Sequence, residues 1–258
     1  MQAEDYEYLY ALEEDFWWFA GMRAVTSALL DPFCSEDPDR TVLDAGCGTG
    51  SNLAWLCRYA DRGAIFGIDL STDALRFCRT GGHGSLARAS VTALPFSAEH
   101  FDLVTSFDVL AQLSSDEGKS AVGEMFRVLR PGGISFVRTA AYEWMHSGHD
   151  EALGTQRRYN LDDLESLLAG AGFDLLRSTY ANSLLLPIAA VRRLVLKRTG
   201  LADSGSDVKP LARGLRWLNG TLQSVLDTEA NLLGSARIKL PAGLSAICIA
   251  QKPHKASG

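Results

Sequence analysis

A chain of 258 residues, 47% hydrophobic and 22% charged with 24 Gly and 8 Pro, suits one large domain with an appendage and excludes disordered, fibrous and coiled-coil classes. Its net charge of −6 argues against general nucleic-acid binding, yet residues 1–184 carry 14 basic and 27 acidic side chains while residues 185–258 carry 11 and 4. Five cysteines, odd in number and without a C-x-x-C pair, exclude a disulfide framework and a thiolate zinc site.

Taken in chain order, residues 1–40 open with Tyr6, Tyr8, Tyr10, Phe16, Trp17, Trp18 and Phe19, which predicts an aromatic helical lid whose rings pack on the body or face a cationic ligand. The start is acidic rather than a basic signal peptide, and the apolar run Leu184 to Val191 falls far short of the roughly 18 residues that span a bilayer. A cytoplasmic protein is expected. Strands at 41–45, 64–69, 85–90, 101–107 and 134–139 alternate with helices at 51–60, 72–80 and 115–129, which predicts a doubly wound α/β sheet over 41–183. Pro131-Gly132-Gly133 separates the last of these helices from its strand, and Asn160 with Asp163 caps a helix that ends at Gly170 or Gly172. A strand at 173–181 follows. The alternation then stops at a basic insert, 184–235, with helical sequence at 184–198, a polar loop at 199–209 and a second helix. On that second helix Leu211, Leu215, Leu218, Leu222 and Val225 share one stripe, which packs on the sheet or a partner subunit, or else caps an anionic, lipid-like acceptor. Residues 236–258 return to the core with a strand at 244–250.

Val42-Leu43-Asp44-Ala45-Gly46-Cys47-Gly48-Thr49-Gly50 runs from the first strand into the first helix, where glycines admit a ligand to the backbone and free N–H groups face it. Asp69, nineteen residues beyond Gly50 at the end of the second strand, is placed to accept both hydroxyls of a ribose. A dinucleotide loop reads G-x-G-x-x-G; here a carboxylate stands two residues before the first glycine, which suits a cationic ligand better than a pyrophosphate.

These residues, with Gly67-Ile68-Asp69-Leu70-Ser71, Ala93-Leu94-Pro95-Phe96, Phe101-Asp102-Leu103-Val104, Arg127-Val128-Leu129-Arg130-Pro131-Gly132-Gly133 and Ala171-Gly172-Phe173, resemble the class I S-adenosylmethionine-dependent methyltransferases, in particular the methyltransferase-11-like family. The resemblance implies a Rossmann-like seven-stranded sheet, mostly parallel with its last strand antiparallel, and S-adenosyl-L-methionine as cofactor. It implies that Gly46, Cys47, Gly48 and Gly50 wrap the methionine portion, that Asp44 lies near its amino group, that Asp69 holds the ribose and that Leu70 covers the adenine. Ser90 stands where the family often has an acid for the adenine amino group, so its hydroxyl or the Val91 backbone substitutes; Gln112 stands where many relatives carry His.

Methyl transfer by in-line displacement asks the protein mainly for alignment and exclusion of water, and for a base only where the acceptor must lose a proton. Asp108 after the fourth strand, His149 beside Asp150 in the loop after the fifth, and Tyr159 beyond Arg157-Arg158 are the candidates. The two arginines suit an anionic acceptor. His146 and His149 are too few ligands for a metal site. The reading is a methyltransferase for a small-molecule, glycan or lipid-linked acceptor, with peripheral membrane contact through 184–235 or a homodimer as further expectations. A non-catalytic nucleoside-binding scaffold and an NAD-dependent oxidoreductase are the alternatives.

Overall fold

The computed structural model describes residues 3–13, 16–34, 39–60, 64–83, 85–199, 217–235 and 238–254. Helices α1 (Ala3–Glu13) and α2 (Trp17–Cys34) lead into β1 (Val42–Ala45), α3 (Ser51–Leu56), β2 (Ile65–Asp69), α4 (Thr72–Thr80), β3 (Leu86–Arg88) and β4 (Phe101–Phe107). Then follow α5 (Ser115–Val128), β5 (Leu129–Ala140), α6 (Gly148–Leu153), α7 (Leu161–Gly170), β6 (Asp174–Ala181), α8 (Leu186–Thr199), α9 (Trp217–Leu233) and β7 (Ser245–Gln251).

The sheet has seven strands in the order β3-β2-β1-β4-β5-β7-β6. The pairs from β3 through β5 are parallel, whereas β7 lies antiparallel between β5 and β6. This is the expected fold. β6 therefore runs in the direction of β5, and the carboxyl ends of β1, β2, β4, β5 and β6 share one edge, where open α/β sheets bind ligands.

Alternation along the strands sorts two cores. Leu43, Val104, Val137 and Cys248 face α5 and α7, where Met125, Leu164 and Leu168 are buried. Val42, Leu103, Phe136 and Ile247 face α2 and α9, where Val25, Leu29, Leu226 and Leu233 are buried. Local signals fix the helix starts: Ser114 and Glu117 form a capping box on α5, and the Asn160 side chain accepts from the Asp163 N–H at 2.8 Å on α7.

Two elements differ from the sequence reading. β5 begins at Leu129 rather than 134, because a bulge lets Leu129 pair with Phe101 before the regular ladder resumes at Leu103–Ile134. The second helix of the insert is not a cap but part of the core. Leu226, Ala230 and Leu233 are buried in the cluster built on α2, with Leu222 and Val225 half-buried beside them. Leu211 and Leu215, and the expected loop beyond Thr199, lie outside the described residues. Buried Glu229 of α9 accepts the N–H groups of Ser183 at 2.7 Å and Leu184 at 3.3 Å, and also that of Asn182, tying the insert to the end of β6. Among the described residues no helix is long and apolar enough to cross a membrane.

Candidate functional site

The loop between β1 and α3 folds back through three glycines with positive φ: Gly46 at 90°, Gly48 at 54° and Gly50 at 96°. They are glycines for different reasons. A Cβ on Gly46 would sit 2.3 Å from Val109 Cγ2 and one on Gly50 3.0 Å from Cys78 Sγ, so both positions are closed by packing. A Cβ on Gly48 would meet nothing within 4 Å; space is open above it. The Cys47 side chain turns the other way, into a small core with Leu53 and Cys78, its sulfur 3.9 Å from Cys78 Sγ. Only its backbone belongs to the loop surface.

Asp69, at the end of β2, accepts the Gly48 N–H at 3.0 Å on one oxygen and the Ser71 N–H at 2.8 Å on the other. A carboxylate oxygen has two lone pairs, so each retains an acceptor site while the loop fixes its aim. Leu70 beside it is 61% exposed, a large apolar surface left open next to a carboxylate. Asp44 is fully buried in β1: Thr105 donates to Oδ1 at 2.8 Å, and Oδ2 has no partner. Burial outweighs that hydrogen bond and the positive charge of Arg138, and lifts the carboxyl to about 7. An orphaned oxygen at the root of a glycine loop is costly unless a donor meets it.

The next wall of the cleft is held from behind. Arg127 of α5 donates to the carbonyls of Phe96 at 2.8 Å and Leu94 at 3.0 Å, and Glu124 accepts the Leu94 N–H at 2.7 Å. Within this segment Ser90 Oγ shares a 2.7 Å hydrogen bond with Thr92 Oγ1 and accepts the Thr92 N–H, and Val91 is buried in the core. The Ser90 hydroxyl is thus engaged in its own turn.

Three non-glycine residues with φ near +60° stand where β4, β5 and β6 end: Asp108, Tyr142 and Asn182. Such strain collects where a loop must aim its side chains. Asp108 is ion-paired, its Oδ2 receiving Arg138 Nη2 at 2.6 Å and Nε at 3.0 Å. Arg138, buried in β5, lies 5.0 Å from the rings of both Trp18 and Phe107. A carboxylate gripped this way positions or accepts a hydrogen bond rather than removing a proton. Tyr159 sits in the core with 1% exposure and an unpartnered hydroxyl that a Gly118 Cβ would approach to 3.2 Å; it belongs to the packing against α5. Arg158 is not open to an acceptor either, being buried against Asp150 at 2.8 Å and donating to the Ala141 carbonyl. Arg157 lies over the Tyr159 ring at 4.3 Å. His149 falls in α6, and its side chain lies outside what is described. The ring of His146 meets the Thr155 carbonyl at 3.2 Å.

Sequence reading missed a group that the fold brings to this edge. Glu13 of α1 accepts from Thr49 Oγ1 of the glycine loop at 2.5 Å, and burial lifts its carboxyl to about 7 despite that bond and the charge of Arg23. Arg23 of α2 reaches Ser51 Oγ at 3.4 Å. With Trp18, Phe107 and Arg138 they line a cavity of about 40 Å³. Tyr10 stacks on Phe77 of α4 at 5.1 Å, so α1 lies along the loop and α4. The one legible signal was the aromatic cluster; nothing near Glu13 or Arg138 in sequence names their partners.

Comparison with known proteins agrees with this geometry. Residues 43–137 match the family described as "Methyltransferase domain". A Mycolicibacterium smegmatis protein named "Probable S-adenosylmethionine-dependent methyltransferase" is 31% identical over 64% of this chain and 62% of its own length. The malonyl-[acyl-carrier protein] O-methyltransferase of Enterobacter lignolyticus is 31% identical over 59% and 62%. The chain thus spans less than two thirds of these relatives. An S-adenosylmethionine-dependent methyltransferase from Archaeoglobus fulgidus shares the fold at a TM-score of 0.58 and 16% identity, over 95% of this chain and all of that one.

Proposed function

We propose that this chain, which through its domain at 43–137 belongs to the class I S-adenosylmethionine-dependent methyltransferase family, moves a methyl group to a small-molecule, glycan or lipid-linked acceptor. The observation that carries the reading is the buried Asp44 with one unpartnered oxygen beneath a glycine loop that is open at Gly48. The residues present fit the family's cofactor. Asp44 would take its ammonium, the 46–50 backbone its methionine portion, Asp69 its ribose and Leu70 its adenine. The same Asp44 carboxylate, set where a pyrophosphate would bring negative charge, argues against a dinucleotide.

The bound cofactor supplies an electrophilic methyl on a sulfonium, ready for in-line displacement. The protein's part is alignment. Asp108, fixed by Arg138, bounds the cleft at the end of β4. The α1 lid, latched by Glu13 to Thr49, excludes water from one side. His149, on the α6 that follows β5, is the proposed base for an acceptor hydroxyl.

Calorimetry with S-adenosylmethionine, S-adenosylhomocysteine and NAD tests the cofactor assignment: the first two bind and NAD does not. Asp69→Ala should weaken S-adenosylmethionine tenfold to a hundredfold, about 1.5–3 kcal/mol for a charged hydrogen-bond pair. Unchanged affinity overturns the ribose assignment. A mass-spectrometric screen of acceptors for the gain of one methyl then identifies the substrate.

A further inference from the structure

The insert's first helix bears a surface that the methyltransferase reading does not use. Leu184, in the turn that leads into α8, and Ile188 and Val191, three residues apart in its first turns, are 52%, 68% and 62% exposed. Between Asp174 and Asp203 the sequence has no acidic residue, while Arg177, Arg192, Arg193, Lys197 and Arg198 are basic. Trp144, 51% exposed and stacked on Tyr142 at 5.9 Å, precedes Met145, whose carbonyl accepts from Arg193 Nη1 of α8. Exposed apolar residues at helical spacing, a stretch of sequence that is basic and without acids, and an exposed indole together are the pattern of a helix that lies in a lipid interface.

We propose that α8 is a peripheral docking face for an acidic phospholipid bilayer, with Leu184, Ile188 and Val191 entering the interface and Trp144 at its margin. The charge selects this occupant over a second copy of the chain. A two-fold contact brings a patch against itself, so the basic residues of one α8 would face those of the other. Phosphate headgroups supply the missing sign. Arg193 ties the helix to the loop after β5 by its contact with Met145 and lies 3.8 Å from Asp150, so the docked face adjoins the ligand edge of the sheet. Docking does not depend on methyl transfer, and its test needs no substrate.

The 258-residue chain is sedimented with vesicles of phosphatidylcholine alone or with phosphatidylglycerol added, at low and high salt. The protein should pellet with the acidic vesicles at low salt, be released by high salt and stay in solution with phosphatidylcholine alone. Ile188→Asn with Val191→Asn replaces exposed side chains only, so the circular dichroism spectrum should match the parent while partition onto acidic vesicles falls at least about tenfold. A parent that fails to pellet on acidic vesicles, or pellets equally on neutral ones, overturns the proposal. So does a folded double variant that pellets like the parent, or one that merely turns a dimeric parent monomeric in light scattering while neither binds vesicles.

Discussion

Asp44 and Asp69 are carboxylates in opposite circumstances, and their difference makes separate predictions. Asp69 is met by two backbone N–H groups; Asp44 is buried with one oxygen bare and is raised from 3.8 to about 7. Between those two values the folded protein holds a proton that the unfolded chain has released. The contribution of Asp44 to stability is therefore complete below pH 4 and is lost as pH rises through about 7. Asp44→Asn should flatten the fall of Tm across that range, measured by scanning calorimetry in a pH series. Affinity for a cationic ligand should move the other way, rising as Asp44 ionises; the Asn variant should lose that rise and keep only the part of the Tm fall that Glu13, also raised to about 7, carries. The glycines separate space from strain. Gly48→Ala costs only the left-handed backbone, about 1–2 kcal/mol, and should fold while losing S-adenosylmethionine binding; Gly46→Ala drives a Cβ into Val109 and should fail in stability first. Thermal melts alongside binding isotherms distinguish the two. If His149 is the base, His149→Ala should cut turnover of a hydroxyl acceptor by about 10²- to 10⁴-fold with cofactor affinity intact, read as kcat against cofactor Kd.

At the scale of elements, α1 is held along the glycine loop and α4 by one polar latch and one aromatic one. Thr49 is 2% exposed, so removing the Glu13 carboxylate leaves its hydroxyl buried without that partner, at a cost of about 1–3 kcal/mol borne locally. Glu13→Ala should speed amide exchange in 3–13 and in the 46–51 loop and leave the central strands as protected as before, measured by hydrogen exchange. Equal protection of α1 in both proteins would remove the latch. The latch also marks where sequence reading stops. Strands β1, β2 and β4 are legible because short apolar runs are local, and the glycine loop because its chemistry lies within nine consecutive residues. Glu13 and Thr49 stand 36 positions apart, and Arg138 and Asp108 stand 30 apart. No periodicity links such pairs; only the closure of the sheet and the return of α1 over it brings them together. Tyr159 fails as a candidate for the same reason, since its place near the strand ends was legible but the direction of its ring was not.

For the whole molecule, the decisive packing is between the beginning of the chain and its insert. An apolar stripe on α9 announces that something must cover it without saying what, and the cover is α2. At Gly21 the approach is tight: a Cβ would lie 2.5 Å from Leu226 Cδ1 and 2.6 Å from its Cβ. The two helices lie on the face of the sheet that carries Phe136, Ile247 and Ile249, so residues from both ends of the sequence close a single core. This arrangement makes α9 part of the core that α2 completes. Gly21→Ala should destabilise by overpacking, about 1–3 kcal/mol, and Leu226→Ala by leaving a cavity, about 2–5 kcal/mol. The second variant removes Leu226 Cδ1, which the new methyl of the first would meet at 2.5 Å, but keeps the Cβ at 2.6 Å, so the clash is relieved in part: the double variant should be more stable than the sum of the two losses requires, with a coupling of about 0.5–3 kcal/mol in a urea-unfolding cycle. Strict additivity would mean that α2 and α9 do not meet at this point, and the insert would then return to the role of a cap.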